Sequence, residues 1–236
     1  MTAIIRREWK GYFFTATGYV FMGIFLAAAS LVFYINSVLA MSSDLSTFLS
    51  MMGYLWLLLC PVLVMRLIAG ERKQMTDQLL LTAPISTWRI AFGKYLAACG
   101  ILLISALFSM VYPLLVAVFG GVHWPEVLTM YLGFILLGCA FIAFDLLLSA
   151  FFRTPTSALV FTLGANLLLW LSSILAGGAT QPLRSVLSVI NLYDRMTPFL
   201  YGQLSPANIL FFVGFSVVCV FLASKLVEAR QWSEAI

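Results

Sequence analysis

Ala69-Gly-Glu-Arg-Lys-Gln-Met-Thr-Asp-Gln-Leu-Leu-Leu-Thr-Ala-Pro-Ile-Ser86 is the one densely charged interruption in a chain otherwise built of long apolar runs, and Gly93-Lys94 follows it closely. The stretch sets Glu71, Arg72, Lys73 and Asp77 in water beside three consecutive leucines, Leu79, Leu80 and Leu81. Contiguous exposed apolar residues cost free energy unless something covers them. The cover is the membrane surface, another part of the chain or a cytosolic partner. Which of these it is bears directly on what the protein does.

Composition fixes the class around that stretch. The chain is 63% hydrophobic and 9% charged, against roughly 25% charged for a soluble domain. A soluble fold of 236 residues has no interior large enough for that much apolar surface, so the sequence describes an all-α integral membrane protein. The net charge of +4 is no nucleic-acid signature here. It fits the Lys and Arg excess that flanks membrane helices on their cytoplasmic side.

A hydrocarbon core of roughly 30 Å takes about 20 helical residues to cross. Six stretches qualify, at about 18–40, 48–68, 90–119, 127–152, 157–176 and 208–227. The third and fourth exceed one crossing, so they tilt or run on into the aqueous phase. Turn chemistry separates the spans: Ser42-Ser43-Asp44 after the first, Gly120-Gly121 and Pro125 after the third, Thr154-Pro155 after the fourth. Helices are expected because every backbone polar group must be paired within lipid.

Of the 13 Lys and Arg residues, only Arg184 and Arg195 fall on the side opposite to all the others. The positive-inside rule therefore places both termini and the charged loop in the cytoplasm. Residues 6–10 precede a span of full length with no small-residue cleavage pattern, so no cleavable signal peptide is expected. In residues 1–14, Ile5, Trp9, Tyr12 and Phe13 share one arc of a helical wheel, with Arg6, Arg7 and Lys10 off it. That pattern suits a helix in the cytoplasmic interface, aromatics at headgroup depth and basic groups toward anionic lipid.

Little in the chain supports chemistry of its own. The lone histidine, His123, sits beside Trp124 on a short outer loop. Cys60, Cys99, Cys139 and Cys219 fall in separate spans without paired spacing and read as small packing residues. Gly93-Lys94 is no phosphate loop, because Trp88 and Tyr95 stand where that motif needs Gly and Ser or Thr. Neither a Gly-x-Ser-x-Gly elbow nor a cofactor or metal motif is present. The chain is not expected to be an enzyme by itself.

Asp145 is the exception within lipid. It lies on the fourth span, eight residues before Arg153, where an acid costs roughly 2.5 to 3.5 kcal/mol at a helix centre and less near the edge. Such a residue faces the bundle or a water-filled cavity. One reading is a carboxylate on a coupling or substrate path. The other, which we favour, is an ion pair with a basic residue at the inner boundary, such as Arg66 or Lys94. Residues 177–207 are too long for a turn and too polar to span. They suit an amphipathic helix through Leu183, Val186, Leu187, Val189 and Ile190 followed by a structured turn, either as a lid over the outer mouth or as packing.

The order of these features resembles a known family. A basic amphipathic start and two spans lead to Glu71-Arg72-Lys73-x-x-Thr76-x-x-Leu79-Leu80-Leu81-Thr82-x-Pro84, and Gly93-Lys94 then opens the third span. This resembles the membrane subunits of ABC-2-type (type V) exporters, in the gliding-motility-type and copper-processing-type permease branch. The resemblance covers essentially the whole chain. It is sharpest at Glu71, Arg72, Lys73, Thr76, Asp77, Gln78, Leu79 to Leu81, Thr82, Pro84, Gly93 and Lys94, and weaker at 149–158 and from Leu187 through Tyr193 and Gly202 to Ile209.

The resemblance implies a single transmembrane domain over 1–236. Residues 1–14 become an interfacial connecting helix, 69–86 a coupling segment docked on a separate cytosolic ABC ATPase, and 177–207 short outer helices between spans five and six. The ATPase contacts fall to Glu71, Arg72, Lys73, Thr76, Asp77, Gln78, Leu79, Leu80, Leu81 and Pro84. ATP and Mg belong to that partner and not to this chain. A second permease copy or a paralogue completes the pore, membrane lipids surround it, and an extracytoplasmic accessory protein is a further candidate partner. A bacterial cytoplasmic membrane is the implied location. Two departures stand out: Met75 replaces a common glycine, and Asp145 stands where the family has a small residue, so no role transfers to it. Rival classes are a secondary carrier or channel, which would want ionisable residues in several midplanes, and a membrane scaffold without transport.

Overall fold

The computed structural model describes residues 2–14, 16–70, 86–119, 121–178 and 191–234. Every regular element among them is helical. Helix α1 (Thr2–Phe13) precedes α2 (Ala16–Phe33), which widens into a π-helical turn at Tyr34–Leu39. Helix α3 (Ser46–Val64) likewise ends in a π-helical turn, Arg66–Gly70. Then follow α4 (Thr87–Ser109), α5 (Val111–Phe119), α6 (Trp124–Ser149), α7 (Pro155–Gly178), α8 (Leu192–Leu200) and α9 (Pro206–Glu234).

Six stretches are long and apolar enough to cross a membrane: Gly18–Leu39, Ser46–Gly70, Thr87–Phe119, Trp124–Ser149, Pro155–Ser172 and Pro206–Ala229. They coincide with the six expected spans to within a few residues. The chain is a multi-pass, all-α membrane protein. The overlong third span is interrupted: α4 ends at Ser109 and α5 restarts at Val111. Pro113 explains the break, since it has no N–H to give to the carbonyl four residues back, that of Ser109. Tyr131 of α6 donates its hydroxyl to that carbonyl at 2.9 Å.

Helix α6 is the axis of the bundle. Its apolar window is 67% buried, against 17% for the fifth span, and α3, α4, α8 and α9 all pack on it. The largest enclosed side chain on the α3 side is Trp56, fully buried, meeting Phe21, Phe25 and Phe134 edge to face. The outward sides of the spans carry exposed Val160, Phe161, Leu168, Leu210, Val213 and Val217, as lipid-facing surfaces do.

Candidate functional site

The residues expected to meet an ATPase, Glu71, Arg72, Lys73, Thr76, Asp77, Gln78, Leu79, Leu80, Leu81 and Pro84, lie outside the described residues. The structure describes the frame they hang from, which is Gly70 at the end of α3 and Ser86 at the start of α4. Helix α1 clamps both sides of that frame.

On the α4 side, Lys94 is 2% exposed and forms an ion pair with Glu8 of α1 at 3.7 Å. The same ammonium donates to the carbonyl of Leu67, in the last turn of the α3 rod. Tyr12 donates to the carbonyl of Leu63 at 2.7 Å. Burial, and after it the Glu8 carboxylate, holds the Tyr12 phenol well above its ordinary range, so it stays a donor. Trp9 donates to the carbonyl of Ala97 at 3.2 Å.

These contacts revise the reading of residues 1–14. Ile4, Glu8 and Tyr12, spaced four apart, form the inward stripe of α1, and the packed Tyr12 does not share the lipid-side arc. Ile5 and Phe13 are half-buried and Arg6 and Lys10 exposed on the other flanks, while Trp9, partly exposed, turns its indole edge onto α4. Glu8 escaped the sequence reading. Its signal was to be the one acid among Arg6, Arg7 and Lys10, on the same i, i+4 row as Ile4 and Tyr12.

Asp145 is fully buried on α6. The expected ion pair with Arg66 or Lys94 is not found among the described residues. Lys94 is turned to Glu8 and Leu67 instead, and Arg66 is exposed. Asp145 is faced by the Cys60 thiol of α3 and the Asn166 amide of α7, yet neither of its carboxyl oxygens has a hydrogen-bond partner. Asn166 is the second residue the sequence reading passed over. Its amide donates to the carbonyl of Leu57 at 3.3 Å. Leu57 lies four residues before Pro61, so its carbonyl is the one that proline leaves without a helical N–H.

The cysteines sit among the packed helices. All four are free thiols, but Cys99 of α4 and Cys139 of α6 face one another beside the Tyr95 hydroxyl, which also meets Ser216 of α9. Polar side chains from three spans thus meet inside the bundle.

The described part of the segment expected at the outer face, residues 191–202, packs into the bundle. The stretch 183–190 lies outside the described residues, while α8 begins at Asn191, whose side chain accepts from the backbone N–H groups of Tyr193 and Asp194. Helix α8 runs antiparallel to α6. Tyr193 packs on Phe141 with ring centroids 5.9 Å apart, Phe199 lies on Gly133, and Gly202 lies against Glu126. Only glycine admits Phe199 at position 133, because a Cβ there would stand 2.6 Å from the Phe199 Cβ. Tyr193 also donates to the carbonyl of Gly53 and stacks on Tyr54, and burial pushes its phenol well up. The N-terminal end of α8 therefore reaches into the bundle, one helical turn of α6 short of Asp145.

No curated protein sequence matches the chain. The family model of ABC-2 family transporter proteins matches residues 58–227, which take in the charged segment, Asp145, α8 and all or part of five of the six spans. With most of the chain under that match, and with six apolar helices around it, the chain belongs to the ABC-2 family of transporter proteins.

Proposed function

We propose that the chain is the membrane-spanning permease subunit of an ATP-driven ABC exporter, of the gliding-motility-type and copper-processing-type branch. It lies in a bacterial cytoplasmic membrane with both chain ends in the cytoplasm. Separate cytosolic ATPase subunits, which hold ATP and Mg, dock on 71–84, and a second copy or a paralogue supplies the other half of the pore. An extracytoplasmic accessory protein meets the outer face. The family match across 58–227 carries this reading.

The clamp supports a mechanism. Closure of two ATPases pulls on 71–84, whose two ends continue into α3 and α4. Those ends are tied to α1 through Leu67, Lys94 and Glu8. A displacement of the segment thus moves α1 and two spans together, and packed elements of this kind switch between discrete arrangements. Leu79 to Leu81 supply the apolar anchors, worth roughly 1.5 to 3 kcal/mol each when buried.

Leu80→Asp tests it. The variant should still insert, while pull-down of the co-expressed ATPase and coupled ATP turnover in proteoliposomes are lost. Undiminished binding and turnover would remove the main support for a transporter subunit. Solute movement without any ATPase would favour a secondary carrier.

A further inference from the structure

We propose that the cleft between the far ends of the first and third spans binds one membrane lipid, seating an acyl chain there with its ester carbonyl on the hydroxyl of Ser37. The cleft holds about 470 Å³, within the range of small-ligand sites that are mostly apolar with a few placed polar groups. Phe33, Val38, Leu115, Val116 and Phe119 form apolar walls, and Ser42 and Ser43 line it where the first span ends. Leu39 and Phe119 close their spans at the end opposite Gly70 and Ser86, so the cleft lies far from the charged segment.

Ser37 is 7% exposed, lines the cleft, and its Oγ has no hydrogen-bond partner. Serines elsewhere in the spans satisfy themselves. Ser30 and Ser216 turn their hydroxyls back onto the carbonyls of Leu26 and Phe212, four residues earlier, at 2.8 Å each. Ser37 lies in the π-helical turn Tyr34–Leu39, and its hydroxyl makes no such bond. Ser105 and Ser149 share the deficit but are wholly enclosed, whereas Ser37 faces an open cleft. A buried hydroxyl without an acceptor is costly. Water is a poor remedy, since a bound water needs several polar partners and the walls beside Ser37 are hydrocarbon.

The occupant follows from where the cleft opens. Val38, Leu115 and Phe119 are exposed, and apolar surface of that kind on a membrane span faces lipid, so the cleft is continuous with the hydrocarbon phase. Its floor is Phe33, held by Phe48 and Tyr112 with ring centroids 5.7 and 5.1 Å away. Its other end is the polar turn at Ser42 and Ser43. Polar at the boundary and hydrocarbon beneath is the order of an acyl lipid. The ester brings one carbonyl acceptor at the head of the chain, which is what the Ser37 hydroxyl lacks. No charged side chain is among the lining residues, so the site selects the acyl ester and not the headgroup charge. The wall itself is unusual: a π-helical turn leads to Met41, which has a φ of 48°, and such departures gather at functional sites.

The site is independent of ATPase docking, so it stands or falls separately from the exporter reading. In the test, the full chain is reconstituted with diester or diether phosphatidylcholine of equal chain length, and retained lipid is counted by native mass spectrometry after detergent exchange. The native chain should keep one diester lipid and hold the diether lipid about tenfold more weakly, the ratio one hydrogen bond supplies. Ser37→Ala should erase that preference. Leu115→Trp, which fills the cleft, should retain no lipid. Where Leu115→Trp does not accumulate, the diester-to-diether ratio in Ser37→Ala decides. Equal retention of the two lipids by the native chain, or retention unchanged in both variants, overturns the proposal. A lipid-free native chain that runs as a dimer overturns it in favour of a second copy covering the cleft.

Discussion

The indole of Trp9 occupies the space where a side chain on Gly100 would begin: a Cβ there would stand 2.5 Å from the ring and 3.0 Å from its nitrogen. Helix α1 approaches α4 closely because of this glycine, and the approach lets Trp9 reach the Ala97 carbonyl. Gly100→Val should push the indole out and break that bond. The direct loss is about 1 kcal/mol, small for the bundle but large for a helix held by one stripe. The expected result is full insertion, a changed Trp9 environment by single-tryptophan fluorescence and reduced ATPase coupling. An unchanged fluorescence spectrum would mean that α1 docks by other contacts.

Glu8 and Lys94 supply the second prediction. Removing one member of a buried ion pair costs on the order of 3–5 kcal/mol, while replacing both is often far cheaper. The Glu8 side chain is 14% exposed and so partly screened, which puts this pair toward the lower part of that range. Lys94→Met should weaken the chain less when combined with Glu8→Gln than the two single variants imply together. Thermal unfolding of all four forms measures the coupling, and strict additivity would show that the pair contributes nothing.

The spans were legible because each carries about 20 consecutive apolar residues, whereas the interruption of the third at Met110 follows from Pro113, which the sequence reading passed over. The partners of polar groups were not. Lys94 follows the charged stretch closely and reads as part of its aqueous flank, yet Glu8, on an element far away in sequence, draws it into the packed junction. Asn166 drew no reading from the sequence, because the use of its donor depends on Pro61, on another helix. Cys99 and Cys139 read as scattered because uniformly apolar helices hide which residues face one another. Helical periodicity marks a face only where polar residues alternate with apolar ones, and these spans scarcely alternate.

Sidedness is tested by labelling. The Lys and Arg bias puts 71–85 and 179–190 on opposite sides of the membrane. Single cysteines at Gln74 and Ser188, in a variant lacking the four native cysteines, should react with an impermeant maleimide from opposite faces of intact cells. Only Ser188→Cys should label before lysis. Labelling of both from outside would overturn the orientation.

The last prediction turns on proline. Asn166→Ala leaves the Leu57 carbonyl buried without a donor, at a cost of about 1–3 kcal/mol. Pro61→Ala restores the missing backbone N–H at the position where α3 needs it. The two changes should therefore compensate: Asn166→Ala lowers the unfolding temperature in the native background and lowers it much less in the Pro61→Ala background. A double-mutant cycle isolates this term, since each single change alters the supply of donors to one carbonyl. Equal losses in both backgrounds would mean that Asn166 matters through Asp145 alone, and the Leu57 bond would carry no weight in the stability of the bundle.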